Sequence, residues 1–217
     1  MTDAVLTEAL FASRAAAGAA LGRQLYMRAT PPVLVLGITA SGVEIASHAA
    51  RAIAATFDVI VAAYVRLDRL GVVGAVAEDA DAALDPQFQP RFGVMEALSE
   101  AIDRARRAIK TERLLYRGHR PIRSLEDAHV VLVDGPLTTP WKLLAAAQAM
   151  QGSRPVRIIA TCPVITEASR DLIRARRLDL VCPHVVADPA GHPKPFAEFD
   201  DPSAERLRSI VVARDKA

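Results

Sequence analysis

Residues 129–142 read HVVLVDGPLTTPWK. From His129 to Asp134 the run is apolar and β-branched, the pattern of a strand covered on both faces. Asp134 ends it. A turn follows, and a helix is expected with Thr139 as its cap and Pro140 at its first position, where a missing N–H costs nothing. A buried strand that feeds a turn and then a helix is half of a βαβ unit, which implies a parallel sheet with right-handed crossovers. Such sheets take ligands at the carboxyl ends of their strands. Asp134 and the residues after it therefore stand at the expected mouth.

Working outward, Val33–Ile38 is a strand of the same kind, followed by the turn Thr39-Ala40-Ser41-Gly42 and a helix over 43–55. Asp58–Val65 reads as a second buried strand. Residues 66–91 are irregular, with β signals near Val72–Val76 and punctuation at Pro86 and Pro90. From Phe92 a long helix is marked by Met95, Leu98, Ile102, Ala105 and Ile109, one apolar stripe at spacings of three and four. Val156–Thr161 and Leu178–Cys182 are further strands, separated by a helix over 166–177. At the start, 3–28 reads as a helix with Thr2 as cap and Leu6, Leu10, Leu21 and Leu25 on one face, stopped by Pro31 and Pro32. A Pro- and acid-rich tail over 188–202 leads to a last helix over 203–212. The expectation is one α/β domain over 1–217, with a Rossmann-like parallel sheet of about five strands and flanking helices.

Composition narrows the partners. The 217 residues are 51% hydrophobic and 24% charged, with a formal charge of +2. That balance gives no reason for nucleic acid as the main partner. The basic runs Arg104–Lys110 and Arg174–Arg177 read as solvated helix faces. No stretch approaches the roughly 20 apolar residues that span a bilayer. Glu8, Arg14 and Arg23 break the N-terminal apolar stretch, so it does not read as a secretory signal, and a cytoplasmic location is expected. The two cysteines, Cys162 and Cys182, form neither a Cys-x-x-Cys pair nor a zinc pattern. Buried free thiols in a reducing compartment are expected, and whether the two pair is left open. The five histidines show no ligand spacing, and none is assigned a role.

Four pieces occur in a fixed order: Phe11-Ala12-Ser13-Arg14 with Ala17-Gly18 and Leu21; Gly74-Ala75-Val76-Ala77-Glu78; RLLYRGHRP over Arg113–Pro121; and Val130-Val131-Leu132-Val133-Asp134. In these the chain resembles the type I phosphoribosyltransferases, as a bacterial phosphoribosyltransferase domain protein, from about Phe11 to about Phe199. The resemblance implies that fold with a small hood, and a glycosyltransferase of nucleotide metabolism. The reaction implied is transfer of a phosphoribosyl group from phosphoribosyl pyrophosphate to a nitrogen nucleophile such as a nucleobase. Mg²⁺ bridging the pyrophosphate oxygens and a homodimer are implied as well.

In the family, two acidic residues ending the central strand hold the ribose, and a Thr-Gly-x-Thr turn cradles the 5′-phosphate at a helix start. Backbone N–H groups and the positive helix end favour an anion there. Carried over, Asp134 is the catalytic-site residue that holds the ribose. Thr138, Thr139, Trp141 and Lys142 line the phosphate cradle, Thr39, Ala40, Ser41 and Gly42 form the pyrophosphate loop, and Arg66 has two readings, a phosphate contact or a solvated side chain.

This chain departs from the pattern at Gly135 (an acid in the family), Pro140 (glycine), Lys142 (threonine) and Ala40 (arginine). Lys142 has two readings, a phosphate ligand or a solvated side chain that opposes the helix dipole. Trp141 reads as packing before base stacking. Phe196 and Phe199 fall where the hood closes, as base contacts or as packing. Two functions follow: an active transferase, or a catalytically impaired regulatory protein that binds a nucleotide or sugar phosphate on the same fold.

Overall fold

The computed structural model describes residues 9–89, 93–123, 126–187, 194–197 and 202–215. The elements are α1 (Arg14–Leu25), β1 (Val33–Ile38), α2 (Thr39–Ala52), β2 (Thr56–Ile60), β3 (Ala62–Leu67), β4 (Gly71–Ala77), β5 (Ala83–Leu84), α3 (Val94–Arg117), β6 (His129–Val133), α4 (Trp141–Gln151), β7 (Arg157–Thr161), β8 (Val164–Thr166), α5 (Glu167–Ala175), β9 (Asp179–Val181), β10 (His184–Val186) and α6 (Ala204–Asp215).

Five strands form the expected parallel sheet, in the order β2-β1-β6-β7-β9. The order turns around between β1 and β6, where Leu36 lies opposite Leu132 and Gly37 opposite Val133. In a doubly wound sheet this is the switch point that opens a crevice for ligands. Successive side chains face opposite sides of a sheet. Accordingly Val35, Val131, Val133, Ile159 and Val181 join α1, α2 and α3 in one core. Leu34, Leu36, Ile38, Val130, Leu132 and Ala160 join α4 and Ile173 of α5 in the other.

Helices α1 and α2 approach closely because α1 carries glycine at the contact. A Cβ on Gly18 would come within 2.6 Å of the His48 Cβ and 2.5 Å of the Ile45 carbonyl oxygen, and one on Gly22 within 2.5 Å of the Ala52 Cβ. The Ala17-Gly18 motif thus serves helix packing. Gly18→Ala is expected to cost about 1–3 kcal/mol through overpacking, read by urea denaturation.

Several boundaries differ from expectation. Helix α1 starts at Arg14, capped by the Ser13 hydroxyl, which accepts the Ala16 N–H at 3.2 Å. Phe11 is instead extended and bridges Phe196. Thr2 and Leu6 lie outside the described residues. The expected strand over 58–65 is two strands that part at Val61. Its N–H is taken by the Glu78 carboxylate at 2.8 Å, so β2 stays in the parallel sheet while β3 leaves for an antiparallel sheet with β4 and β5. Residues 39–42 are not a turn but the first turn of α2. Thr139 does not cap α4: Pro140 is the N-cap residue, without a side-chain hydrogen bond, and the Thr139 hydroxyl goes elsewhere. The short strands β8 and β10 pair with each other and were not expected.

Candidate functional site

Asp134 leaves β6 at the switch point. It is only 3% exposed, and one carboxylate oxygen accepts the N–H of Gly135 at 2.8 Å. Its own N–H donates to the Thr161 carbonyl of the neighbouring strand at 3.1 Å. A Cβ on Gly135 would displace the Ser41 hydroxyl, which lies against that glycine. A Cβ on Gly42 would lie 2.6 Å from the Val133 carbonyl oxygen and 3.0 Å from the Asp134 Cα. The first turn of α2, which carries Thr39, Ala40, Ser41 and Gly42, is therefore seated on the exit of β6. Ala40 packs against the core beneath. Where the ligand crevice was expected, protein atoms meet.

The segment after Gly135 is pinned by one β-bridge, between Leu137 and Ile165. The Leu137 N–H donates to the Val164 carbonyl at 2.8 Å, and the Thr166 N–H donates to the Leu137 carbonyl at 3.0 Å. The Ser169 hydroxyl donates to the Thr138 carbonyl at 2.8 Å. Of these bonds, the one from the Leu137 N–H takes up a backbone donor that an anion could otherwise use. Trp141 is buried in the aliphatic core with Leu137 and Leu143, and the Arg176 guanidinium lies 5.9 Å from its ring centroid.

Four polar side chains converge just outside this segment. The Thr139 hydroxyl donates to the Tyr64 hydroxyl at 3.1 Å. Lys142 Nζ lies 4.8 Å from the centre of the Tyr64 ring, and the Arg66 guanidinium carbon lies 5.0 Å from it. The ring's negative face attracts cations. Tyr64 on β3 thus gathers Arg66 from its own strand and Thr139 and Lys142 from the start of α4. Arg66 and Thr138 are exposed and Lys142 is half-buried, so this cationic face opens to solvent. Glu112 of α3 stands behind it. Burial raises its carboxyl above the ordinary glutamate value, and the Lys142 ammonium partly offsets that. Burial, and then Glu112, push the Tyr116 phenol up. Sequence reading singled out Arg66 and missed Tyr64. The available signal was strand alternation, which puts residues two apart on one face.

The other matched segments are scaffold contacts. Glu78 and Arg117 form a buried ion pair, with side chains 8% and 1% exposed. Arg117 also donates to the Arg120 carbonyl at 3.5 Å. Asp58, wholly buried, accepts the N–H groups of Val59 at 2.9 Å and Arg123 at 3.2 Å, and pairs with the Arg120 guanidinium at 3.6 Å. Phe196 is buried, with the Arg14 guanidinium 5.1 Å from its ring centroid. Phe199 lies outside the described residues.

Glycine stands at 135, where a second acid would, so Asp134 is the carboxylate at this mouth, and among the described residues no group of three or more His, Cys, Asp or Glu is placed to hold a metal by protein ligands alone. Among the described residues, no helix is long and apolar enough to cross a membrane.

No protein-family model matches the chain. Its structure is similar to that of TT1426 from Thermus thermophilus, with a TM-score of 0.78 and 26% identity over 94% of this chain and 98% of that one. It is also similar to a hypothetical protein from Neisseria gonorrhoeae solved with bound ppGpp, with a TM-score of 0.51 and 9% identity over 96% of each chain. A purine phosphoribosyltransferase from Pyrococcus horikoshii Ot3 superposes with a TM-score of 0.48 and 14% identity over 86% of this chain and 91% of that one. The architecture is an α/β fold, a five-stranded parallel sheet flanked by helices, and it is shared over nearly the whole chain with TT1426.

Proposed function

We propose that this chain binds a phosphorylated nucleotide or sugar phosphate on the Tyr64 face and does not transfer phosphoribosyl groups. The observation that carries the second half is the seat of α2 on β6. Glycine stands at 135 instead of the second acid, the Gly42 backbone is pressed onto the Val133 carbonyl and the Asp134 Cα, and one Asp134 oxygen is bonded into its own turn. The first half rests on the convergence of Arg66, Thr139 and Lys142 on one ring. A phosphate there meets two cations and hydroxyl groups close to the positive end of α4. It also turns the cost of a lysine in the first helical turn into a gain. The ppGpp held by the Neisseria gonorrhoeae protein supports a nucleotide on this fold.

Thermal melting with GMP, ppGpp, or phosphoribosyl pyrophosphate with Mg²⁺ tests this reading. A bound ligand at about 100 times its Kd adds roughly 2.7 kcal/mol, an easily read shift. A shift with the nucleotides, and no pyrophosphate release from phosphoribosyl pyrophosphate with any common nucleobase, is expected. No shift with any of the three would overturn it.

Glu112 supplies a pH test. Its carboxylate repels an anion brought to Lys142, so binding should strengthen as pH falls through the raised range in which Glu112 takes up its proton. Glu112→Gln should tighten nucleotide binding a few-fold at neutral pH and flatten that dependence. The variant should also remove a stability term. A carboxyl raised on folding favours the folded state below its ordinary value, and that advantage is lost as pH rises through the raised value. Calorimetric titration and melting across pH check both.

A second reading keeps phosphoribosyl transfer. It is favoured by Asp134 at the carboxyl end of β6, and it requires the first turn of α2 to withdraw. Pyrophosphate release that is lost in Asp134→Asn would establish it. The homodimer implied by the sequence resemblance belongs to the proposal and is read by sedimentation velocity.

A further inference from the structure

We infer that Cys162 and Cys182 form a thiol-oxidation site, which closes to an intramolecular disulfide by exchange with a low-molecular-weight disulfide that reacts first at Cys182. The placement comes from the sheet. Strands β7 and β9 run parallel with Thr161 opposite Val181, and the two cysteines are the next residue on each chain. Neighbouring strands lie about 4.8 Å apart, inside the Cα separation of roughly 4.4–6.8 Å that a disulfide spans. The two sulfurs are already 3.6 Å apart, with the Cys162 thiol donating to the Cys182 sulfur. Both cysteines are free thiols here.

The two thiols have unequal roles. Cys162 is wholly buried, while Cys182 is half-buried and so reachable from solvent. Burial pushes the Cys162 thiol well up, with Cys182 and the Asp134 carboxylate adding to it. The hydrogen bond from Cys162 brings the Cys182 thiol below its ordinary value. The more reachable sulfur is thus the better thiolate, and the thiolate is the nucleophile in exchange. Cys182 attacks one sulfur of RSSR, forming a mixed disulfide and releasing RS⁻. The Cys162 thiol gives its proton to RS⁻ or to solvent and attacks the Cys182 sulfur, expelling the second RS⁻. The net change is a protein dithiol and RSSR giving a protein disulfide and two RSH: the protein is oxidised and the small disulfide reduced.

The test uses the full chain, folded, in glutathione buffers of increasing oxidised fraction. Samples are quenched in acid, denatured, alkylated and weighed intact. The chain has only two cysteines, so the reading is unambiguous. The expected result is loss of both alkylatable thiols together in a monomer that carries no glutathione. Cys162→Ala should instead trap a glutathione adduct on Cys182, and Cys182→Ala should leave Cys162 unmodified in the folded protein. Retention of both thiols at every ratio overturns the inference. So does a lasting glutathione adduct on the wild-type chain, or a disulfide found only between two copies. The wild-type measurement decides the matter even if a variant fails to fold.

Discussion

Replacing Arg117 by alanine is expected to destabilise the protein by about 3–5 kcal/mol, because it strands a charge in the interior. The Arg117 and Glu78 side chains are 1% and 8% exposed. Glu78 also accepts the Val61 N–H at 2.8 Å, which fixes the point where β2 and β3 part. Without Arg117, the carboxylate must either stay ionised in a low-dielectric site or take up a proton. Either course disturbs the junction of the two sheets. A single buried partner is worth less than the pair is costly to break. The double variant Glu78→Gln/Arg117→Met should therefore recover most of the loss, since the glutamine amide oxygen can still accept from Val61 and no charge is left behind. Urea denaturation at constant m-value measures both. Equal losses in the single and double variants would show that packing, not charge, is responsible.

The second large effect concerns ligand. Arg66→Ala and Lys142→Ala are each expected to weaken nucleotide binding by about 1.5–3 kcal/mol, roughly tenfold to more than a hundredfold, the range for hydrogen bonds to charged groups. Both cations lie on the Tyr64 ring, so their effects should be coupled rather than additive. Tyr64→Phe is the control. It keeps the ring that holds the cations and loses only the partner of the Thr139 hydroxyl. Its effect on affinity should be the smaller one. If Tyr64→Phe weakens binding as much as the cation variants do, the phenol and not the charge pair is the contact.

Much of the fold was legible in the sequence because the parallel strands are buried on both faces. Val33–Ile38 was read to the residue, and the runs ending at Val133, Thr161 and Val181 within a residue or two. What was not legible was set by contacts distant in sequence. The break at Val61 depends on a carboxylate 17 residues further on. Residues 39–42 have turn composition, yet they fold as helix because Gly42 and Ser41 pack onto the exit of β6. Strands β8 and β10, three residues each, carry no periodicity to read. At the site, the sequence exposed the departures at Ala40, Gly135, Pro140 and Lys142 one by one. The structure relates two of them: the first turn of α2, with Ala40 in it, brings the Ser41 hydroxyl against the glycine at 135. Gly135→Asp, which places an acid where the sequence resemblance implies one, is expected to turn the Ser41 hydroxyl aside at a cost of about 1 kcal/mol and to confer no pyrophosphate release. Melting and a coupled pyrophosphate assay follow the two outcomes.

On the function proposed above, the ligand face is the cationic rim around Tyr64 and not the filled crevice beside Asp134. Calorimetric titration of ppGpp into the wild-type chain and into Arg66→Ala/Lys142→Ala separates the two. Saturable one-site binding to the wild type is expected, with at least a tenfold loss in the double variant, which should still melt in one cooperative transition before ligand is added. Equal affinity in the two proteins would place the ligand elsewhere and contradict the proposal.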